Sequence, residues 1–452
     1  MKRRLSVPKD LREFAAVFAK AGHSCYFVGG AVRDGLLGRP VSDWDAATDA
    51  TPERVQALFR SVIPTGVQHG TVTVRWRGAS IETTTFRVDG EYRDGRRPES
   101  VAFTGDLLAD LSRRDFTING MAVDPATGEV VDPAGGMADL EAGVVRAIGD
   151  PIARFTEDGL RPMRAVRFAA RFGFSIDPAT FAAIPATLCR FRLVSAERVR
   201  DEFSKILTCD RPSDGLRSLY DSGLLAEFLP ELAACAGVGQ GGQHRHDVLG
   251  HSIAACQAAP ANLELRLAAL LHDVGKPTRR VESADGSLSF HGHELESARL
   301  AAAALRRLKY PNAVVDAVSH LVKHHMFDYH DSWTDAAVRR FVSRVGLDWV
   351  KPLAILRLAD SGGMGAGPAD PRSVMPLLER VEALVAKDQA FGLKDLAIGG
   401  DELAAAGWPK GPVMGRVLAE LLEAVLDDPE LNTRERLLDI AGRIKAKYGV
   451  GD

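Results

Sequence analysis

The chain has 452 residues, 46% hydrophobic and 26% charged, with a formal net charge of −3. This length exceeds one compact core, and the mixture is that of a soluble globular protein, which excludes a largely disordered chain and leaves two to four domains. A charge so near balance gives no global attraction to nucleic acid, so RNA contact requires a local basic surface; Arg146 to Lys205, with 11 Lys/Arg against 7 Asp/Glu, is the candidate.

In chain order, the start MKRRLSVPKDLREF carries basic residues without a following apolar run, and no later run reaches membrane-spanning length. The expectation is a cytoplasmic protein with no membrane contact. The pattern predicts a helix near Leu11 to Ala21, a strand at Tyr26 to Val28, and a helix capped by Thr51 with Pro52 at its first position. Thr71 to Arg77 and Ser80 to Val88, rich in Thr and Val and separated by a Gly-containing turn, predict a β-hairpin. Beyond about residue 140 strand signals fade and helical periodicity takes over, so the expected class is an α+β head on an all-α body. Gly-rich stretches at 237–242 and from Gly367 separate a histidine-bearing block from its neighbours, giving expected domains 1–142, 143–236, 237–367 and 368–452. The five cysteines, Cys25, Cys189, Cys209, Cys235 and Cys256, show no CxxC spacing and read as buried thiols, not as a disulfide framework or zinc site.

The chemistry begins at Gly29-Gly30-Ala31-Val32-Arg33-Asp34, where glycine backbone after a strand can approach phosphate and an arginine can neutralise it. Alone this reads equally well as a tight strand-to-helix turn. Asp43-Trp44-Asp45 follows; alternation along a strand would put both carboxylates on one face, where they can hold a divalent cation, though a bare DxD is more often an acidic turn. A third carboxylate, Glu82, lies on a later predicted strand. Together the three suit two-metal nucleotidyl transfer, in which one metal lowers the pKa of an attacking 3′-hydroxyl and the other holds the triphosphate and leaving pyrophosphate. No GxxxxGK[ST] loop points to an ATPase instead.

The run YFVGGAVRDGLLGRPVSDWDAATDATPE resembles the class II tRNA nucleotidyltransferases and their bacterial poly(A) polymerase relatives, in the polymerase-beta superfamily. HGTVTV, TFRVDGEYRDGRRPESV, RRDFTINGMA and TEDGLRPMRAVRFAARFGF follow in the family's order, over roughly the first two fifths of the chain. The resemblance implies a polymerase-beta-like mixed sheet with helices in the head, then helical neck, body and tail. It implies Mg2+ on Asp43 and Asp45 with Glu82 in support, and triphosphate contacts from Gly29, Gly30 and Arg33. Arg114, Asp115 and Asn119 match the element near the incoming sugar and phosphates, and Asp158 and Arg161 the pair that reads the base edge. A carboxylate accepts from an exocyclic amine and a guanidinium donates to a ring nitrogen, a pattern cytosine and adenine share. Arg164 and Arg167 continue the helical spacing toward the site, while Arg171 reads as surface; Pro162, as a proline inside the helix, would bend it and disturb the aim of Arg161. The implied partners are tRNA, CTP and ATP, with no DNA.

Further on, His251, His272-Asp273, His293, His324 of the pair His324-His325, and Asp360 occur in the order of the HD phosphohydrolase superfamily, which they resemble. Imidazoles with carboxylates suit a first-row transition metal, and the resemblance implies a divalent metal, Mg2+, Mn2+, Ni2+ or Co2+, with phosphatase or phosphodiesterase action on RNA ends. His246, His291 and His330 read as bystanders. The leading expectation is CCA addition to tRNA. Its rivals are A-only or CC-only addition, poly(A) synthesis, an RNA-end phosphohydrolase, or a non-polymerising RNA-binding protein; the charged loop Asp89 to Pro98 disfavours CC-only addition, because that subset typically lacks it.

Overall fold

A computed structural model describes residues 4–89, 101–241, 245–364, 369–387 and 390–449. Most of the loop 89–98 lies outside the described residues. The chain divides into two compact units, one of residues 1–234 with 306–310, the other of 235–305 with 311–452.

The first unit opens with helix α1 (Lys9–Lys20), strand β1 (Cys25–Val28), α2 (Gly30–Leu36), β2 (Asp45–Thr48) and α3 (Pro52–Leu58). As expected, α3 is capped by Thr51, whose side chain accepts from Arg54 N–H, with Pro52 in the first turn. Next come β3 (Val62–Gly66), β4 (Thr71–Trp76), β5 (Ala79–Thr85), β6 (Arg87–Asp89), β7 (Val101–Phe103), α4 (Leu107–Ser112), β8 (Ala122–Val123) and β9 (Val130–Val131). Seven strands form a mixed sheet in the order β3-β4-β5-β2-β1-β8-β9. β1 runs antiparallel to β2, pairing Val28 with Asp45, and β2 runs parallel to β5, pairing Ala46 with Thr83. That register sets Asp45 beside Glu82 on neighbouring strands. Phe14 and Phe18 of α1, with Phe59 and Trp76, form an aromatic layer whose ring centroids lie 5.0 to 5.8 Å apart.

The predicted second strand of the hairpin is split. Ile81, Thr83 and Thr85 alternate inward, but Phe86 is also buried, so the period of two breaks there. β5 ends at Thr85, and β6 pairs instead with β7 in a separate ribbon.

Helices α5 (Gly136–Ala142), α6 (Pro151–Glu157), α7 (Arg161–Phe172), α8 (Pro178–Ala186), α9 (Leu188–Phe191) and α10 (Ala196–Leu207) then follow in chain order. The strand signal does not vanish entirely, since Val144–Val145 pairs with Ser175–Ile176. Pro162 corrects the sequence expectation: α7 starts at Arg161, so the proline occupies the first turn, where no intrahelical N–H bond is lost and its fixed φ suits the helix. Among its described residues, the second unit is helical apart from the pair Val281–Glu282 and Leu288–Ser289. Its C-terminal helices close over Leu403, Trp408, Val417, Leu421, Val425 and Leu437. All five cysteines are free; Cys25, Cys235 and Cys256 are buried as expected, but Cys189 is exposed and Cys209 half-buried. Among the described residues, no helix is long and apolar enough to cross a membrane.

Candidate active site and histidine cluster

Trp44 turns inward onto Phe27, with centroids 5.2 Å apart, and its burial leaves Asp43 and Asp45 exposed on either side. The strand begins only at Asp45; Asp43 precedes it. Desolvation, then the charge of Glu82, pushes Asp45 up to about 6, with Asp43 adding to the rise and Arg114 opposing it. The neighbouring carboxylates thus disfavour the charge of Asp45, a repulsion that a cation beside it would relieve.

Beside them lies a cavity of about 470 Å³ lined by Gly29, Gly30, Arg33, Asp45, Arg113, Arg114, Asp115, Asn119, Asp158, Arg161, Arg164, Arg167, Phe168 and Arg171. Asp43 and Glu82 do not line it. Gly29 sits at φ +71°, and a Cβ there would stand 3.0 Å from Arg114 Nη1, so glycine is required for both conformation and approach. Arg33 is buried: its Nε donates to Asp34 Oδ1 at 2.8 Å, its Nη1 to Asn119 Oδ1 at 2.5 Å, and its guanidinium stacks on Phe168 and Phe172. Asn119 Nδ2 donates to Asp115 Oδ1, and Arg164 grips Asp115 Oδ2 through Nε at 2.9 Å and Nη2 at 2.7 Å. The result is one connected hydrogen-bonded chain from α2 to α7.

Burial works to raise Asp115, but Arg164 and Asn119 outweigh it and hold the carboxyl at about 2. A depressed carboxylate pKa adds stability that is complete above the unfolded value near 3.8 and is lost as pH falls toward the folded one, here about 2 kcal/mol. The gap in thermal midpoint between wild type and Asp115→Asn should therefore be full at pH 5 and narrow as pH drops below 4. A gap independent of pH over that range would refute the pairing.

Several supporting residues carried no local signal in the sequence. Asp110, buried in α4, takes Arg113 at 2.8 Å and Arg114 at 3.3 Å; Glu202 on α10 takes Arg167. Arg198, four residues earlier on α10, forks onto Asp158 at 3.2 and 2.8 Å. Arg161 is held by Glu157 Oε2 at 2.5 Å and by the carbonyls of Arg154 and Arg113. Arg171, read as surface, is half-exposed yet lines the cavity 3.6 Å from Asp34.

In the second unit, His251 Nε2 lies 3.1 Å from His272 Nε2 and 3.0 Å from Asp360 Oδ1, and His272 Nε2 lies 3.1 Å from Asp273 Oδ2. Among the described residues, two sets could hold a metal, His251-His272-Asp360 and His272-Asp273-His325, each with its ligand atoms within 4.8 Å of one another. His325 therefore replaces His324 as the candidate. His324 faces the other way, 4.6 Å from the His320 ring one turn earlier, whereas His325, the next residue round the helix, is buried with Nδ1 on Val322 O. His293 Nε2 and Asp273 Oδ1 face each other at 3.2 Å, but both are buried atoms without a directed hydrogen bond, as expected of donors aimed at a shared point. Burial disfavours charge on His272, yet Asp273 and Asp360 overcome it and push it up to about 10; burial, then His272, holds His325 down at about 3. Two buried carboxylates thus demand positive charge here, and the donor set fits a divalent transition metal. A cavity of about 550 Å³ opens onto His272, Asp273, His293, His325 and Asp360, and is also lined by Lys276, Arg357 and the supposed bystander His291.

Residues 25–146 match the family model described as the poly A polymerase head domain, 173–235 the probable RNA and SrmB-binding site of polymerase A, and 293–441 tRNA nucleotidyltransferase domain 2. The CCA-adding enzyme of Limosilactobacillus fermentum is 34% identical over 425 residues, 94% of each chain. The chain belongs to the CCA-adding enzyme family. That of Geobacillus stearothermophilus is 36% identical over 420 residues, covering 92% of both. A crystal structure of the Bacillus stearothermophilus CCA-adding enzyme in complex with CTP superposes with a TM-score of 0.74 at 30% identity, covering 98% of each chain. Family membership makes this chain a metal-dependent tRNA nucleotidyltransferase with an α+β head and a helical body. The head-domain match covers the Gly29 turn, all three carboxylates and Arg114 to Asn119, whereas Asp158 to Arg171 fall between the first two matches.

Proposed function

We propose that the chain completes the 3′ end of tRNA by adding C, C and A from CTP and ATP, with Mg2+ on Asp43 and Asp45. The observation that carries this reading is the single cavity in which Arg33, Arg114 and Arg164 stand beside Asp45 and the pair Asp158 and Arg161. When bound, the metal supplies electrostatic stabilisation of the transferring phosphoryl group and the departing pyrophosphate. The chain's own residues bind and orient. The arginines neutralise the triphosphate, Gly29 and Gly30 let it approach the backbone, and Asp158 and Arg161 meet an amino group and a ring nitrogen on one base edge. Residues 1–142 form the catalytic head and 143–236 a base-selecting neck in this reading.

The test supplies tRNAs lacking CCA, CA or A with each NTP separately and sequences the products. Wild type should add C to the first two and A to the third, and Asp158→Ala should erode rejection of UTP and GTP by about tenfold or more, the worth of one missing hydrogen bond. Addition of A alone to every substrate, or equal loss with all four nucleotides, contradicts the reading.

A second activity is favoured by the histidine cluster. We propose that residues 237–367 hold Mg2+, Mn2+, Ni2+ or Co2+ on His251, His272, Asp273, His293, His325 and Asp360, and hydrolyse phosphate esters at RNA ends. The tail, 368–452, remains for tRNA contact.

A further inference from the structure

Asp158 and Arg161 are opposite charges three residues apart in one turn, and two such groups satisfy each other when nothing intervenes. They do not pair here. The Asp158 carboxylate is held by Arg198, through Nη1 to Oδ1 at 3.2 Å and Nη2 to Oδ2 at 2.8 Å, while Oδ1 also accepts Leu160 N–H at 3.0 Å. Arg161 is held by Glu157 and two main-chain carbonyls. We propose that Arg198 is a positioning residue for nucleotide selection: it keeps the Asp158 carboxylate away from Arg161 and sets its plane for the exocyclic amine of cytosine or adenine. This rests on the reading of Asp158 and Arg161 as the base-selecting pair.

The stoichiometry of the contacts supports the role. A carboxylate offers about four lone pairs. Oδ1 takes two donors and Oδ2 one, which leaves Oδ2 capacity for one amino hydrogen. A two-point guanidinium fork fixes the orientation of the carboxylate as a single cation would not. Arg198 does not line the cavity, whereas Asp158 does, so its influence on the base passes through that carboxylate. Its neighbour one turn on, Glu202, is bound to Arg167, so one face of α10 supplies counter-charges to two arginine-cavity residues of opposite sign.

The experiment measures kcat and KM for CTP, ATP and UTP on tRNA lacking its terminus, in wild type, Arg198→Met, Arg198→Lys, Asp158→Asn and the Arg198→Met/Asp158→Asn pair, with thermal midpoints for each. Arg198→Met should raise KM for CTP and ATP and lower the CTP-to-UTP ratio of kcat/KM by about tenfold. Arg198→Lys, with the charge but not the fork, should recover part of that ratio. In the Asp158→Asn background, Arg198→Met should change the ratio no further, because the effect runs through that carboxylate. A ratio unchanged in both Arg198 variants, in a wild type that does discriminate, overturns the proposal alone. So does an equal drop with and without Asp158. A wild type that accepts CTP and UTP alike overturns the base-selecting reading and this role with it.

Discussion

Asp45→Ala should abolish nucleotide addition, with a fall of about a thousandfold or more, while tRNA binding and folding persist. The loss of a metal ligand removes several kcal/mol of transition-state stabilisation, and each 1.36 kcal/mol is a factor of ten in rate. Asp43→Ala should act alike. Stability should move little, because Asp45 takes no part in the hydrogen-bonded chain of Arg33, Asn119, Asp115 and Arg164. Desolvation and Glu82 already disfavour its charge, so removal relieves a repulsion. Single-turnover extension of tRNA lacking CCA gives the rate, filter binding gives tRNA affinity, and a Mg2+ titration of the thermal midpoint gives an independent readout of metal binding. Wild type should gain stability on adding Mg2+, and the variant should gain less. Addition at the wild-type rate in either variant would remove these carboxylates from the metal role.

How far this site was legible in the sequence depended on how local its causes were. Gly29 is set by a strand-to-helix turn that needs a positive φ, and the arginines of α7 by helical spacing, both short-range causes visible in the pattern of residue types, whereas strand alternation does not account for Asp43, which precedes β2. Arg198 and Glu202 are about forty residues from Asp158 and Arg167, and only the packing of α10 against α7 brings them together. The effect of Pro162 depends on where the helix begins, which the sequence does not fix to the residue: in the first turn it fits, several residues in it breaks a bond. Neighbouring histidines posed a sharper problem. Successive helical residues point about 100° apart, so His324 and His325 cannot face the same way, and the sequence alone does not say which meets Asp273. The decision comes from packing, with His324 against His320 and His325 toward the buried carboxylates. The split of the predicted hairpin strand has the same origin, since Thr85 and Phe86 are both buried.

Substituting His272 and Asp273 together should eliminate phosphate release from 3′-phosphorylated and 2′,3′-cyclic phosphate RNA ends and leave CCA addition nearly unchanged. His272 contributes to both candidate ligand sets and Asp273 to one, so the pair of changes leaves neither set intact. Retention of CCA addition follows because the nucleotide cavity is built within the first unit and the histidines within the second. Removal of two buried, mutually paired groups risks unfolding, so His293→Ala serves as a milder variant: it deletes one donor aimed at the cluster and leaves Asp273 with Lys276. Phosphate release should be measured with Mg2+, Mn2+, Ni2+ and Co2+, and metal content by elemental analysis of each protein. Wild type should retain a divalent ion that the double variant lacks, with His293→Ala intermediate in both content and rate. The physical reason is that Asp273 and Asp360 are held in their charged forms inside the protein, and a cation placed among them satisfies a demand that protons on His272 otherwise meet. Wild type inactive with all four metals, or a double variant that matches it in rate and metal content, would show that the cluster is a scaffold held together by imidazole and carboxylate pairing and carries no hydrolysis.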